Sequence, residues 1–270
     1  MLSLIGIGKE DEVRARTGKR AYSLIQGRIR KSRARELEQL MVEHGFSGSI
    51  VHSPEAWRHT SMGLSLSRHP LINYTRQTQC PEVKPAALPR LSDRRPLAGV
   101  KVVELVRIIA GSAVGAALAS KIMGAEVIRV NSAKLEDYTP AQASLLMAGK
   151  MAMQLNLDDA SDRSRLRQLF EEADVILQGY RLRSLDLYGF GLKLAPKIAH
   201  KRGRGMVYVD ENCYGPDGVY AERRGKQQVA DAAAGSSYVM GRAFGCLEGQ
   251  GVLPSLPISD MSTGIFFSRL

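Results

Sequence analysis

"GVKVVELVRIIAGSAVGAALASKIMGAEVIRVN", residues 99–131, decides the fold. It opens on a β-branched run, passes through alanine, glycine and serine suited to a closely packed helix, turns at Gly124 and ends in a second β-branched run. Strand, helix and strand in so short a span make a βαβ unit, whose two strands run parallel. The alternation continues downstream. "LDDASDRSRLRQLFEEA" (157–173) has an aspartate cap and helical apolar spacing at Leu166, Leu169 and Phe170. "DVILQGY" (174–180) reads as a strand, "LKLAPKIAHK" (192–201) as a short helix and "GMVYVDENCYG" (205–215) as a strand entering a glycine turn. "QQVADAAAGSSYVMG" (227–241) reads as one helix of small residues. Strands alternating with helices predict an α/β fold over 96–270, a Rossmann-like, mainly parallel sheet covered on both faces.

Upstream the texture differs. Residues 1–72 are basic and helical in pattern, with apolar residues at Leu24, Ile25, Ile29, Leu37, Leu40 and Met41, and Ser53-Pro54-Glu55 is placed to open a short helix anchored by Trp57. Residues 73–95 carry three prolines and no apolar period, the marks of a linker. Most of the net charge of +11 falls in this N-terminal third. Without interleaved aromatics or a recognised motif, the arginines there are expected to form a solvated helix face, not a nucleic-acid surface.

Composition narrows the chemistry. The chain has 270 residues, 44% of them hydrophobic, enough for one large or two small domains with a real core. No apolar run reaches the 18 or so residues of a membrane span, and residues 1–16 lack the long apolar stretch of a secretory signal, so a soluble protein without membrane partners is expected. Cys80, Cys213 and Cys246 are odd in number and far apart, which fits neither a disulfide framework nor a zinc site; no metal is expected. Four of the five histidines precede the linker, and His200 sits at a predicted helix C-terminus, where its charge complements the helix dipole. Ser-His-Asp, Cys-His and histidine-metal chemistries therefore find little support in the α/β zone.

Gly111 and Gly115 lie where a dinucleotide-binding turn would be, but the third glycine is missing and Asn131 stands where a ribose-binding acid is needed. Small residues that let helix and sheet approach closely account for the pattern; the free amides of that helix N-terminus still suit a phosphate-bearing ligand. Chemistry then falls to carboxylates. In "LPISDMSTGIF" (256–266), Asp260 stands among small and apolar neighbours. It can cap a helix beginning at Met261, accepting from the amides of Ser262 or Thr263, and an ionised carboxylate so held can also attack an activated acyl group without a base.

"PLAGVKVVELVRIIAG", "GAEVIRV", "GK" with "LNLDD", "ADVILQGY", "LYGFG", "YGPDG", "VADAAAG" and "LPISDMSTGIF", in that order over about 96–267, resemble the class III CoA-transferases, a family that includes α-methylacyl-CoA racemases. The resemblance implies an acyl-CoA transferase that moves CoA between carboxylic acids through an aspartyl anhydride and thioester. Asp260, followed by Gly264, occupies the family's D-x-x-x-G nucleophile. Coenzyme A is implied as substrate, with no tightly bound cofactor, and with an acyl-CoA and a carboxylic acid as partners. Its contacts carry over to Ile108, Ile109, Ala110 and Gly111, to Arg129, Asn131 and Ser132, and to Arg224.

The chain departs from the family at Lys226, where the racemases have the proton-exchanging histidine; lysine is a poor base at neutral pH, so transfer is expected over racemisation. Met151 replaces a usual basic residue, and Leu182-Arg183 a usual proline-glycine. The family also continues past the nucleophile, while "RARELEQLMVEHGFSGSIVHSPEAW" resembles its C-terminal stretch, an order like the tail of one copy joined to the head of the next. The α/β domain is thus expected to be incomplete, and either completed by a second copy or a complementing chain, or an inactive remnant that binds CoA or a partner. Ser268-Arg269-Leu270 matches the tripeptide of peroxisomal import, so a peroxisomal location is expected, with a cytoplasmic one as the alternative.

Overall fold

The computed structural model describes residues 2–8, 18–77, 95–132, 134–135 and 146–267; most of the predicted linker, Cys80 and the Ser268-Arg269-Leu270 tripeptide lie outside the described residues. Along the chain, helices α1 (Gly18–Ile29), α2 (Ala34–Glu43), α3 (Pro54–Arg58) and α4 (Ser61–Leu66) precede strand β1 (Lys101–Leu105) and helix α5 (Ala110–Leu118). Then follow β2 (Glu126–Asn131), β3 (Lys150–Gln154), α6 (Ala160–Glu172), β4 (Val175–Gln178), α7 (Leu194–Arg202) and β5 (Val207–Asp210). Helices α8 (Gln227–Ala234), α9 (Ser236–Ala243) and α10 (Ile258–Phe267) close the sequence of elements.

Contacts divide the chain into two compact units, Met1–Arg68 with Cys213–Ser255, and His69–Asn212 with Leu256–Leu270. Residues 213–255, which the alternating pattern attaches to the α/β zone, thus pack with the N-terminal helices. In this first unit a small core gathers Ile5, Ile7, Leu37 and Met41. Ser53 caps α3, its hydroxyl accepting from the Ala56 amide at 3.1 Å, as its place before Pro54 predicts. Arg30, Lys31, Arg33 and Arg35 are exposed. The stretch 227–241 is two helices, not one: Gly235 takes φ +101° between α8 and α9, where an added Cβ would meet the Pro54 ring at 2.8 Å.

The second unit is a five-stranded sheet in the order β3-β2-β1-β4-β5, every pair parallel. Alternate residues of β1 serve opposite faces. Val103 and Leu105 join Val130, Leu166, Phe170, Ile176 and Ile198 beneath α6 and α7. Val102 joins Val114, Leu118, Val127, Leu177 and Val209 beneath α5, with Phe267 of α10 packed alongside. Asp159 caps α6 as predicted, accepting from the amides of Ser161 and Asp162. Helix α5 ends at Leu118, earlier than Gly124, which instead turns the chain into β2 at φ +83°. Strand β3 is not legible as a strand from sequence: "KMAMQ" has no β-branched residue, pairs on one side only with β2, and leaves Met151 54% exposed.

Beneath α5 lies a buried ion cluster. Glu104 and Arg129 are wholly buried; Lys150 Nζ donates to both Glu104 oxygens, at 2.9 and 2.7 Å, and to the Ser112 carbonyl at 2.8 Å. Gly115 is what admits it, since a Cβ there would fall 1.6 Å from Glu104 Oε2. The second glycine of the apparent phosphate turn therefore serves close helix–sheet approach.

Candidate active site

The strand order reverses direction between β1 and β4, and in open parallel sheets the crevice at the carboxyl ends of such strands is where ligands bind. Three segments of the second unit converge there. From β1 the chain runs through Val106 to Ile108, which adopts φ +62°, a strained conformation for a β-branched residue, and Ile109 then precedes the first turn of α5. From β4, Gly179 continues the ladder with its amide on the Leu105 carbonyl at 3.0 Å. From β5, Glu211 continues it with its amide on the Gln178 carbonyl at 2.9 Å.

The Glu211 carboxyl fills the corner between them. Its Oε2 would lie 2.8 Å from a Cβ placed on Gly179 and 3.5 Å from one on Gly111, so both glycines make room for it. Burial, then the charges of Asp260 and Asp210, push this carboxyl up to about 7. Asp210 is itself raised, by burial foremost, although the Gln178 side-chain amide donates to it and opposes the rise.

Asp260 is half-buried in the first turn of α10. The helix begins at Ile258, and the Met261 amide already bonds the Pro257 carbonyl at 3.0 Å, so Asp260 is a first-turn acid and not the cap of a helix starting at Met261. Its charge still faces the positive end of the helix dipole. Gly264, four residues on and so on the same face, is buried against Ala113 of α5, where an added Cβ would come within 2.3 Å of the alanine Cβ. The D-x-x-x-G spacing thus has a physical reading: the glycine lets α10 lie directly on α5, and the aspartate one turn earlier shares that face.

The remaining predicted residues are placed as follows. Ile108, Ile109, Ala110 and Gly111 form the β1–α5 turn at the crevice. Asn131 ends β2 and Ser132 follows it; Asn131 accepts from Arg129 Nε at 2.9 Å, and Ser132 Oγ accepts from the Lys134 amide. Arg129 is neither a solvated strand-end charge nor turned to solvent for a phosphate: it is wholly buried, 3.8 Å from Glu104. It points to the α5 face because successive strand residues alternate, and Val130 takes the other face. Arg224 is exposed and belongs to the first unit. Sequence reasoning passes over Glu211, whose signal is an acid directly after the last strand of a parallel sheet. Among the described residues no group of acids, histidines and cysteines is arranged to hold a metal ion, and no helix is long and apolar enough to cross a membrane.

The fold is thus a parallel sheet on which a first-turn aspartate and its glycine are stacked against the helix after β1. The chain belongs to CoA-transferase family III, which it matches over residues 97–268. An acyl-CoA transferase of Gibberella moniliformis is 69% identical over 98% of this chain and 46% of its own length. An acetyl-coenzyme A transferase of Hypoxylon pulicicidum is 37% identical over 98% of this chain and 44% of its own length. The chain thus spans just under half of these relatives. Among solved structures, a CAIB/BAIF family protein from Brucella suis superposes with a TM-score of 0.52 at 27% identity, covering 66% of this chain and 48% of that one.

Proposed function

We propose that this chain carries the nucleophile of an acyl-CoA transferase, with Asp260 as the attacking carboxylate. The observation that carries the reading is the seat of Asp260: half-buried, in the first turn of α10, on the face that Gly264 presses onto α5. An Asp260 oxygen attacks the thioester carbonyl of an acyl-CoA. The tetrahedral oxyanion collapses, the C–S bond breaks, and CoA leaves as a thiolate from a mixed anhydride. The thiolate then attacks the aspartyl carbonyl, releasing the donor acid as its carboxylate and leaving an aspartyl-CoA thioester. An acceptor carboxylate repeats the two steps in reverse, departing as its own CoA ester and restoring Asp260. Both intermediates hydrolyse readily, so partial burial of the aspartate favours transfer over loss to water.

The β1–α5 turn, Ile108 to Gly111, is assigned to the CoA phosphates, because the first amides of α5 point out of that turn. Arg129 is assigned to the ion cluster beneath. Arg224 stays in the proposal as an exposed cation of the first unit. Lys226 stands where the racemases have their histidine, which favours transfer over α-proton exchange. Association with a second copy or with another chain belongs to the proposal as well.

Incubation with an acyl-CoA followed by hydroxylamine, with peptide mass spectrometry, tests it. A hydroxamate at Asp260, absent in Asp260→Asn, is expected; a chain that stays unmodified overturns the transferase reading and leaves a CoA-binding or partner-binding role.

A further inference from the structure

We propose that Glu211 is a positioning residue for this reaction: its carboxyl holds a proton opposite Asp260, so that the two acids together present a single negative charge to the arriving acyl-CoA. The inference rests on Asp260 being the nucleophile. It starts from the corner that houses Glu211. Strand β5 delivers the side chain to the end of β4, and Gly179 and Gly111 leave the space that its Oε2 occupies. An alanine at 179 would put a methyl 2.8 Å from that oxygen. From the β1 end the apolar side chain of Val106 packs against both glycine positions.

The charged groups that act on Glu211 are both acids, Asp260 from α10 and Asp210 from β5. A carboxyl with apolar packing on one side and two acids on the other is easier to keep neutral than to ionise. Two nearby carboxylates resist carrying two charges, and the proton settles on the one that loses more hydration.

The chemistry gives that proton a use. Every species the site must receive is anionic: the CoA phosphates, the acceptor carboxylate and the tetrahedral oxyanion. A second charge at the first turn of α5 would oppose each of them, and it would stand beside Gly111, where the phosphates are assigned. A neutral Glu211 instead offers one hydrogen-bond donor. Transfer of CoA from an acyl-CoA to a carboxylate neither consumes nor releases a proton, so the Glu211 proton is held through the cycle and needs no exchange with solvent.

Carboxyl carbon NMR of the whole chain labelled with 13C at the glutamate side-chain carboxyl, with the Glu211 signal found by its loss in Glu211→Gln, tests the pairing independently of activity. Glu211 is expected to titrate well above the exposed glutamates, and to move back toward them in Asp260→Asn. Alongside, acylation of Asp260 by acyl-CoA in single-turnover experiments is expected to fall by about tenfold per pH unit above neutrality in the native chain, and to flatten in Glu211→Gln. A Glu211 signal that titrates with the exposed glutamates, or a pH profile unchanged by Glu211→Gln, overturns the proposal while Asp260 acylation stands. A coupled titration with no acylation at any pH overturns the transferase reading, and the role of Glu211 with it.

Discussion

Gly264 lies against Ala113 so closely that a methyl group on the glycine would sit 2.3 Å from the alanine Cβ and 3.1 Å from its backbone carbonyl carbon. Helix α10 can therefore rest on α5 only while position 264 lacks a side chain. Gly264→Ala gains about 1 kcal/mol of helix propensity and loses roughly 1–3 kcal/mol to overpacking, so a net loss of up to ~2 kcal/mol is expected. Gly264→Val, with a branched side chain in the same gap, should lose more and should also displace Asp260. Urea unfolding reads the first effect, and hydroxamate yield at residue 260 reads the second.

The buried cluster yields a contrast between two lysines. Lys150 has no exposed side-chain surface and bonds both oxygens of Glu104, whereas Lys101 meets Glu172 at 3.1 Å with both side chains about half-exposed. Losing Lys150 removes the two short bonds to Glu104 and leaves it the longer contact to Arg129 at 3.8 Å, at a cost of up to roughly 3–5 kcal/mol; an exposed pair is worth less than about 1 kcal/mol. Lys150→Met is therefore expected to lower unfolding stability severely, and Lys101→Met hardly at all. Burial holds the Lys150 ammonium below its ordinary range despite Glu104, so the cluster is the costlier place to lose a partner.

Arg183 occupies φ +62°, a left-handed conformation, at the position where the family resemblance implies glycine. A left-handed non-glycine residue costs about 1–2 kcal/mol, and glycine returns about 0.5–1 kcal/mol of that through the freedom of the unfolded chain. Arg183→Gly should raise stability by up to ~1 kcal/mol, read as a rise in the thermal midpoint; a lower midpoint would mean that the arginine side chain's own interaction outweighs the strain.

Much of this architecture is legible because β1, β2 and β4 are apolar, β-branched runs buried in the sheet, because the edge strand β5 still carries Val207 and Val209, and because Asp159 and Ser53 are caps with a local mechanism. Strand β3 escapes because "KMAMQ" becomes a strand only by pairing with β2, a tertiary fact with no local propensity behind it. Glu104 and Arg129 carry a signal that sequence reading can use: a charge inside a strand buried on both faces needs a buried partner, and Lys150 is that partner for Glu104. Asp260 stands out as an acid in an apolar stretch, but its place differs from the expected cap because the helix already begins at Ile258, with the Met261 amide on the Pro257 carbonyl. Glu211 escapes because what distinguishes it is the company of Gly111, Gly179 and Asp260, which lie 100, 32 and 49 residues away in the chain and meet only in the fold.

That company also makes the stability of the protein depend on pH through Glu211. A carboxyl raised to about 7 from an ordinary 4.5 binds more protons in the folded chain than in the unfolded one across that interval. Stability from this group is then greatest in acid, declines as pH rises from about 4.5 to about 7, and is level above. Each pH unit of that interval corresponds to about 1.4 kcal/mol, and partial exposure of the side chain to water reduces the total, so a loss on the order of 1–3 kcal/mol is expected between pH 5 and pH 8. Glu211→Gln has no proton to lose. It should match the native chain near pH 5 and exceed it by that amount at pH 8, in urea unfolding at the two pH values. Parallel curves for the two proteins would mean that Glu211 ionises as readily folded as unfolded, which the apolar corner at Gly179 and the facing Asp260 both oppose.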